Sequence, residues 1–197
     1  MVARHESKEQ RRQRLLARKD KATRSSWLSA RRPVLKFVLI FAGLGAAFNV
    51  FFYSFLANSG IFRAYLRASA ALSASLLRFV GADASAENAS MSGGGFDMKI
   101  AVGCDAVQPI ALFCCAVLAS PIPLRPKLAG IVFGTIAMLM LNIVRIMTLF
   151  LAGIHAPRFF ELLHVDIWQA AFIFVAMLLW VRWAMTAGGP PRAVKRA

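Results

Sequence analysis

Residues Leu128 to Gly153 read LAGIVFGTIAMLMLNIVRIMTLFLAG, a run of 26 residues in which Arg145 is the one charged side chain. A helix needs about 20 apolar residues to cross the hydrocarbon of a bilayer, so this run is long enough for a membrane span. Gly153 is typical of a helix end, and Pro157 follows shortly after it. The run therefore predicts a transmembrane helix that carries one cation inside the membrane.

Three further apolar runs predict additional spans. The hydrophobic fraction of the chain is 58% and the charged fraction is 17%, below the roughly 25% of charged residues in soluble domains. The runs are residues 34–57, residues 106–119 with an extension to Ile122, and residues from His164 or Val165 to Thr186. We therefore expect an all-α polytopic membrane protein with about four transmembrane helices.

The segment after the first span is expected to stay out of the bilayer core. Residues 61–80 are apolar but include Arg63, Arg67 and Arg78, and three arginines disfavour a lipid-exposed span. We expect an outer amphipathic helix, either on the interface or packed against the bundle. A re-entrant or tilted span is the alternative.

A short strand is predicted just before the first cysteine. Residues 81–95 are small and polar, which is typical of a loop or turn. Residues 96–102 place Phe, Met, Ile and Val at every second position, which predicts a strand with one buried face. A hairpin with the preceding segment is an option, and the strand leads directly to Gly103 and Cys104.

The chain has a net charge of +15, and the distribution of its basic residues and apolar runs predicts three parts. These are a basic arm at residues 1–33, a transmembrane domain at residues 34–187 and a basic tail at residues 188–197. A basic arm can bind nucleic acid, but this one directly precedes an apolar span. We therefore expect a disordered cytoplasmic arm that touches anionic lipid, and no nucleic-acid partner.

Lys and Arg in the short loops predict the topology. They favour the cytoplasmic side, which assigns the arm, the loop with Arg125 and Lys127, and the tail to the cytoplasm. Residues 58–104 and 154–163 then face outward. We expect a multi-pass protein of the bacterial inner membrane whose functional side faces the periplasm.

Three reactive side chains from distant segments converge on this outer face. Cys104 precedes one span, His164 begins another, and Arg145 lies about 12 Å from the outer end of its helix at 1.5 Å per residue. A Cys–His pair is the minimum for an activated thiol nucleophile. Arg145 can stabilise a developing oxyanion or hold a substrate carbonyl or carboxylate. We predict that these three are the catalytic residues.

Other residues are assigned supporting or substrate-binding roles: Asn142, Asp105, Trp168 and Gln169. A helix N-terminus next to Cys104 would lower the thiol pKa, whereas Asp105 would raise it unless its carboxylate caps the helix. Asp105, Glu161 or Asp166 can orient the imidazole, and the sequence does not choose among them. His155 is the competing histidine.

No metal site or cofactor is expected. Cys104, His155 and His164 could supply ligands, but they show neither a CxxC motif nor a helical i,i+4 spacing. Cys114 and Cys115 lie in an apolar run and are expected to be packing residues. Thiol chemistry at Cys104 needs no cofactor.

Three segments together resemble the exosortase/archaeosortase family of multi-span membrane enzymes. They are Gly95-Phe-Asp-Met-Lys-Ile-Ala-Val-Gly-Cys-Asp105, Leu141-Asn-Ile-Val-Arg-Ile-Met-Thr-Leu-Phe150 and Phe160-Glu-Leu-Leu-His-Val-Asp-Ile-Trp-Gln169. The order Cys, Asn-x-x-Arg, His is similar to the family signature, and the short length looks most like the exosortase H subgroup. The resemblance covers Gly93 to about Trp180. Many relatives have glycine where this chain has Ala106.

The resemblance implies a membrane-embedded cysteine endopeptidase or transpeptidase. Cys104 would be the nucleophile, His164 the acid/base and Arg145 the stabilising cation. The substrates would be exported, membrane-tethered proteins whose C-terminus has a motif similar to Ile-Pro-Thr-Leu, one span and a basic end. Cleavage would form a thioester that water, an amine or another acceptor releases.

Three other classes of function stay open from the residues alone. A non-enzymatic membrane scaffold or assembly factor would depend on the basic arm and not on Cys104. A small transporter or channel would use Arg145 as an anion site. A thiol redox protein would form a mixed disulfide at Cys104.

Overall fold

The computed structural model describes residues 8–187, and the predicted basic tail at residues 188–197 lies outside them. Five α-helices make up most of this part of the chain: α1 Lys8–Phe51, α2 Gly60–Phe79, α3 Val107–Ala119, α4 Leu124–His155 and α5 Trp168–Ala187. Short helical turns join them: the π-helical turns Phe52–Leu56 and Leu162–Ile167 and the 3-10 turn Pro157–Phe159. The strands are β1 Ser85–Glu87, β2 Ser90–Gly93 and β3 Phe96–Lys99.

The chain comprises two compact units, Met1–Ile40 and Phe41–Ala197. The first contains the N-terminal part of α1, and residues 1–7 lie outside the described residues. Residues 8–33, which we expected to be disordered, are helical and continue through Pro33 into the apolar run. Arg, Lys, Gln, Ala and Leu predominate there, and these residues have high helix propensity.

Three helical segments in the described residues are long and apolar enough to cross a membrane. They are Arg31–Leu56, Leu124–His155 and Pro157–Ala187, with mean hydropathies of 2.0, 2.0 and 1.9. The fourth predicted span is the 13-residue helix α3. It rises only ~20 Å, which is short of the ~30 Å of bilayer hydrocarbon. A helical membrane protein is thus supported, and the count of four crossings stays a prediction.

Helix α2 is amphipathic and packs one face against the rest of its unit. It begins where Ser59 Oγ accepts a hydrogen bond from the Phe62 backbone N–H at 3.1 Å. Its buried residues recur at helical spacing and contact α4 and the sheet: Phe62, Leu66, Ser69, Ala70, Ser73, Ala74 and Leu77. This arrangement agrees with the predicted amphipathic helix in its bundle-packed form.

The three strands form an antiparallel meander in the order β1-β2-β3. Residues 96–100 alternate between buried or half-buried and exposed, as the sequence predicts for a strand. Strands β1 and β2 lie within residues 81–95, where we expected a loop or turn, and the pairing of β2 with β3 forms the hairpin that we kept as an option. Gly94 and Gly95 connect β2 to β3 with φ of 57° and 77°, a left-handed conformation that glycine adopts without strain.

Helix α4 packs against α3, α5 and β3, and its glycines leave space for aromatic side chains of these three elements. A Cβ on Gly134 would meet the Phe113 ring of α3, and one on Gly130 would meet Trp183 of α5. Near the other end of α4, a Cβ on Gly153 would meet the ring of Phe96 on β3. Close packing of three different elements on one helix positions the loop between β3 and α3.

Candidate active site

The loop that carries Cys104 is held by the carboxylate next to it. Asp105 is 1% exposed, and its Oδ1 accepts from the Val107 N–H at 2.7 Å while its Oδ2 accepts from the Gly103 N–H at 3.0 Å. The Tyr65 hydroxyl donates to the Asp105 carbonyl oxygen. Asp105 therefore caps the start of α3 and fixes the Cys104 loop on α2, and it makes no hydrogen bond to the imidazole.

Cys104 and His164 meet although 60 residues separate them. The Cys104 Sγ lies 3.0 Å from the His164 Nε2, and both side chains are half-buried. His164 lies in the π-helical turn Leu162–Ile167, a distortion that is frequent at functional sites. The distance is within hydrogen-bond reach, which a base needs in order to take the thiol proton.

Arg145 joins the two segments that carry the pair. Its Nη1 donates to the Gly103 carbonyl oxygen at 3.1 Å, and its Nη2 approaches the His164 carbonyl oxygen at 3.4 Å. The side chain is 4% exposed, and its Cζ lies 5.6 Å from the centre of the Phe172 ring. The guanidinium thus holds the Cys104 loop and the His164 turn together at one end of the bundle.

The surroundings of Cys104 shift the pKa of its thiol in opposite directions. Burial raises the pKa of Cys104, nearby Arg145 lowers it, and Asp105 raises it. The net direction is upward, and burial is its largest cause. The lowering by a helix N-terminus, one of two directions open from the sequence, does not prevail, since α3 begins at Val107 and its first turn lies beyond Cys104. A raised pKa favours the protonated thiol, so a base beside the sulfur helps to form the nucleophile.

The ring of Phe160 lies beside the His164 imidazole. Among the described residues, no carboxylate contacts that imidazole. The His164 ring lies 5.7 Å from Phe160, which lies 5.6 Å from Phe96. Glu161 and Asp166, the two other acids considered from the sequence, are exposed and form no hydrogen bond with His164. His155 is exposed at the end of α4 and is not part of the pair.

The supporting residues divide into a buried and an exposed group. Asn142 is 1% exposed, and neither its Nδ2 nor its Oδ1 has a hydrogen-bond partner among the described residues. The same holds for the Trp168 Nε1 and the Arg145 Nε. Unpaired buried groups are costly, so they are candidates to bind a ligand. Gln169, by contrast, is exposed and makes no hydrogen bond with a described site residue.

Sequence reasoning assigned no role to three residues that support the site. Tyr65 on α2 binds the Cys104 loop, while Phe96 and Phe160 lie behind the imidazole. Alternation along β3 indicates that Phe96 is buried but not what it contacts. Within residues 8–187, no group of three or more His, Cys, Asp or Glu side chains could hold a metal ion.

Comparison of the chain with protein-family models, curated proteins and solved structures finds no match. The likeness to exosortases therefore rests on the three sequence segments that carry Cys104, Arg145 and His164.

Proposed function

We propose that this chain is a membrane-embedded cysteine peptidase or transpeptidase that processes the C-terminal sorting signals of exported proteins. The observation that carries the proposal is the 3.0 Å approach of the Cys104 Sγ to the His164 Nε2. An isolated structural cysteine needs no imidazole partner. A thiol with a base in hydrogen-bond contact is an arrangement that supports nucleophilic thiol catalysis.

The proposed reaction begins with proton transfer. His164 takes the thiol proton as the Cys104 sulfur attacks the carbonyl carbon of the scissile peptide bond. The carbonyl oxygen becomes negative, and the guanidinium of Arg145 stabilises it by charge. Collapse of this tetrahedral species breaks the C–N bond, and the imidazolium of His164 gives its proton to the leaving amine.

A thioester between Cys104 and the substrate acyl group then remains. Water or an acceptor amine attacks it, His164 accepts the proton of the attacking group, and the thiolate leaves and is reprotonated. Hydrolysis gives a free carboxylate, and aminolysis gives a new amide. Both outcomes balance without a metal or redox cofactor.

Asn142 and Trp168 support this proposal as substrate-binding residues. Their side-chain N–H groups are buried without hydrogen-bond partners among the described residues, and an extended peptide offers carbonyl oxygens that accept such bonds. Gln169 has no such support because it is exposed. We place the protein in a bacterial inner membrane with the Cys104 end facing the periplasm, and the basic arm against anionic lipid.

The proposal is tested by co-expression with an exported protein that ends in Ile-Pro-Thr-Leu, one apolar span and a basic end. Cleavage is measured as the size shift of the tagged protein. Cys104→Ala, Arg145→Ala and His164→Ala should each abolish or strongly reduce it. Residues of the same type outside the pocket provide controls, so His155→Ala and Arg78→Ala should cleave normally.

Processing at the normal rate in all three site variants would overturn the proposal. A scaffold or assembly factor would instead lose its function when residues 1–32 are deleted and keep it in Cys104→Ala. Membrane amounts of every variant are measured in the same samples, so that loss of the protein is not mistaken for loss of catalysis.

A further inference from the structure

A second concave site lies beside the Cys104 loop and is separate from the Cys–His pair. It is a groove of about 520 Å³ between the N-terminal half of α2 and the ends of β2 and β3. Its twelve lining residues include Arg63, Arg67 and Lys99 and no carboxylate. We call it the basic groove.

The three cations of the groove have no counter-ions in the part of the chain that the structure describes. None of their side chains forms an ion pair or a hydrogen bond with a described residue. Arg78, on the same helix, lies outside the groove and donates to Ser75 Oγ at 3.2 Å. Arg63 and Arg67 are four residues apart and so share one helix face, while Lys99 faces them from β3.

The floor of the groove is apolar. Phe62 is 3% exposed and Leu66 is 8% exposed, and both belong to the core beneath the cations. Ala57, which lines one end, directly follows the candidate span Arg31–Leu56. Charged walls above an apolar floor, at the point where a membrane span ends, match the boundary between phospholipid headgroups and acyl chains.

We infer that the basic groove binds the phosphate headgroup of an anionic phospholipid. The non-bridging oxygens of a phosphodiester accept hydrogen bonds from the guanidinium groups of Arg63 and Arg67. Lys99 adds charge from the opposite wall, and the glycerol end of the acyl chains covers Phe62 and Leu66. The bound lipid sets the depth of the neighbouring Cys104 loop relative to the membrane surface, because Val102 lines the groove two residues before Cys104.

This inference does not depend on the proposed peptidase activity and is tested by binding alone. A photo-reactive phenylalanine analogue replaces Val102, which is 46% exposed in the groove. The full chain is reconstituted in phosphatidylcholine vesicles with or without about 20% phosphatidylglycerol, the anionic lipid that a basic site would bind. Lipid adducts are measured by mass spectrometry. The adduct should form with phosphatidylglycerol and be lost when the cations are removed.

The combined variant Arg63→Gln, Arg67→Gln and Lys99→Gln should reduce the adduct by at least about tenfold. Arg78→Gln is the matched control and should leave it unchanged, since both chains keep the same basic arm. Single glutamine variants replace the combined one if it does not fold, and each should reduce the adduct by about fivefold.

Four results would overturn the inference. They are equal adducts in vesicles with and without phosphatidylglycerol, an unchanged adduct in the combined variant, competition by millimolar inorganic phosphate, and cross-linking to a protein in place of lipid. Competition would identify a site for free phosphate, and a protein adduct would identify an acidic peptide as the occupant.

Discussion

Two regions of the chain hold cysteines, and they differ in what surrounds the sulfur. The Cys104 Sγ contacts an imidazole at 3.0 Å and lies near the charges of Arg145 and Asp105. In the apolar helix α3, Cys115 is 6% exposed and the Cys114 Sγ lies 3.9 Å from the Thr135 hydroxyl. The Cys104 thiol thus lies in a loop next to a base, whereas the thiols of Cys114 and Cys115 lie in a helix and contribute to its packing.

The largest expected effect comes from removing Arg145, the cation that lies near Cys104. Arg145→Gln loses the bonds to the Gly103 and His164 carbonyl oxygens as well as the positive charge. Processing should fall by about 10²–10³-fold, the usual cost of losing one oxyanion-stabilising group. The rate of cleavage of the co-expressed substrate measures it.

Arg145→Lys provides the control for charge in that comparison. A single ammonium cannot span both carbonyl oxygens as the guanidinium fork does, so this variant should recover little activity. Full activity in Arg145→Lys would show that charge alone matters and that the bridging geometry does not.

A smaller effect is expected from the glycine that seats the aromatic rings behind His164. In Gly153→Ala the new Cβ would collide with the Phe96 ring, which lies 5.6 Å from Phe160, the ring beside the imidazole. Such overpacking should lower the free energy of unfolding by about 1–3 kcal/mol. Thermal unfolding of the purified protein in detergent checks this value.

Gly45→Ala is the matched control, because nothing lies within 4 Å of the position where its Cβ would be. Alanine also favours a helix over glycine by about 1 kcal/mol, so this variant should be unchanged or more stable. Equal behaviour of the two variants would contradict the packing of Phe96 on α4.

The pH dependence of alkylation compares the thiol with ordinary cysteine. Burial raises the pKa of Cys104 above its ordinary value of 9.0, so its reaction with iodoacetamide should still be accelerating at that pH. Arg145→Gln should move the midpoint higher, because the cation favours the thiolate. A midpoint well below 9.0 in the unchanged chain would indicate a preformed thiolate and contradict the upward shift of the Cys104 pKa.

The smallest effect is expected at the two helical cysteines. The double variant Cys114→Ala and Cys115→Ala removes only small side-chain groups from α3. Its stability should fall by about 1 kcal/mol, in the range of ordinary point mutations, and its processing rate should stay within about twofold of normal. Loss of processing in this double variant would contradict the proposal that, of the three cysteines, only Cys104 takes part in catalysis.

Much of the fold could be predicted from period and length. The apolar run at 128–153 lies within α4, and the alternation along residues 96–102 begins with β3, although that strand ends at Lys99. The hairpin that we kept as an option is present as β2 paired with β3, whereas β1 could not be predicted, because Ser, Ala and Glu carry no apolar alternation and β1 is ordered by pairing with β2. Residues 8–33 of the basic arm are helical, and composition shows their charge more clearly than their helix propensity.

The convergence of Cys104, Arg145 and His164 could be predicted, but the residues that hold them in place could not. Cys104, Arg145 and His164 each stand out by residue type beside an apolar run, and the structure brings them together. Tyr65 and Phe96 are ordinary residues in sequence, and their roles depend on contacts with segments tens of residues away. The role of Asp105 as a cap, one of two readings open from the sequence, required the backbone geometry around Gly103 and Val107.

Covalent capture of the acyl group shows whether Cys104 is the nucleophile. Proteins from cells that carry the co-expressed substrate are digested, and the peptide that contains Cys104 is analysed by mass spectrometry with and without neutral hydroxylamine. We expect a hydroxylamine-sensitive thioester on Cys104, and none on Cys114 or Cys115. Continued processing in Cys104→Ser, with no adduct on the unchanged chain, would contradict it.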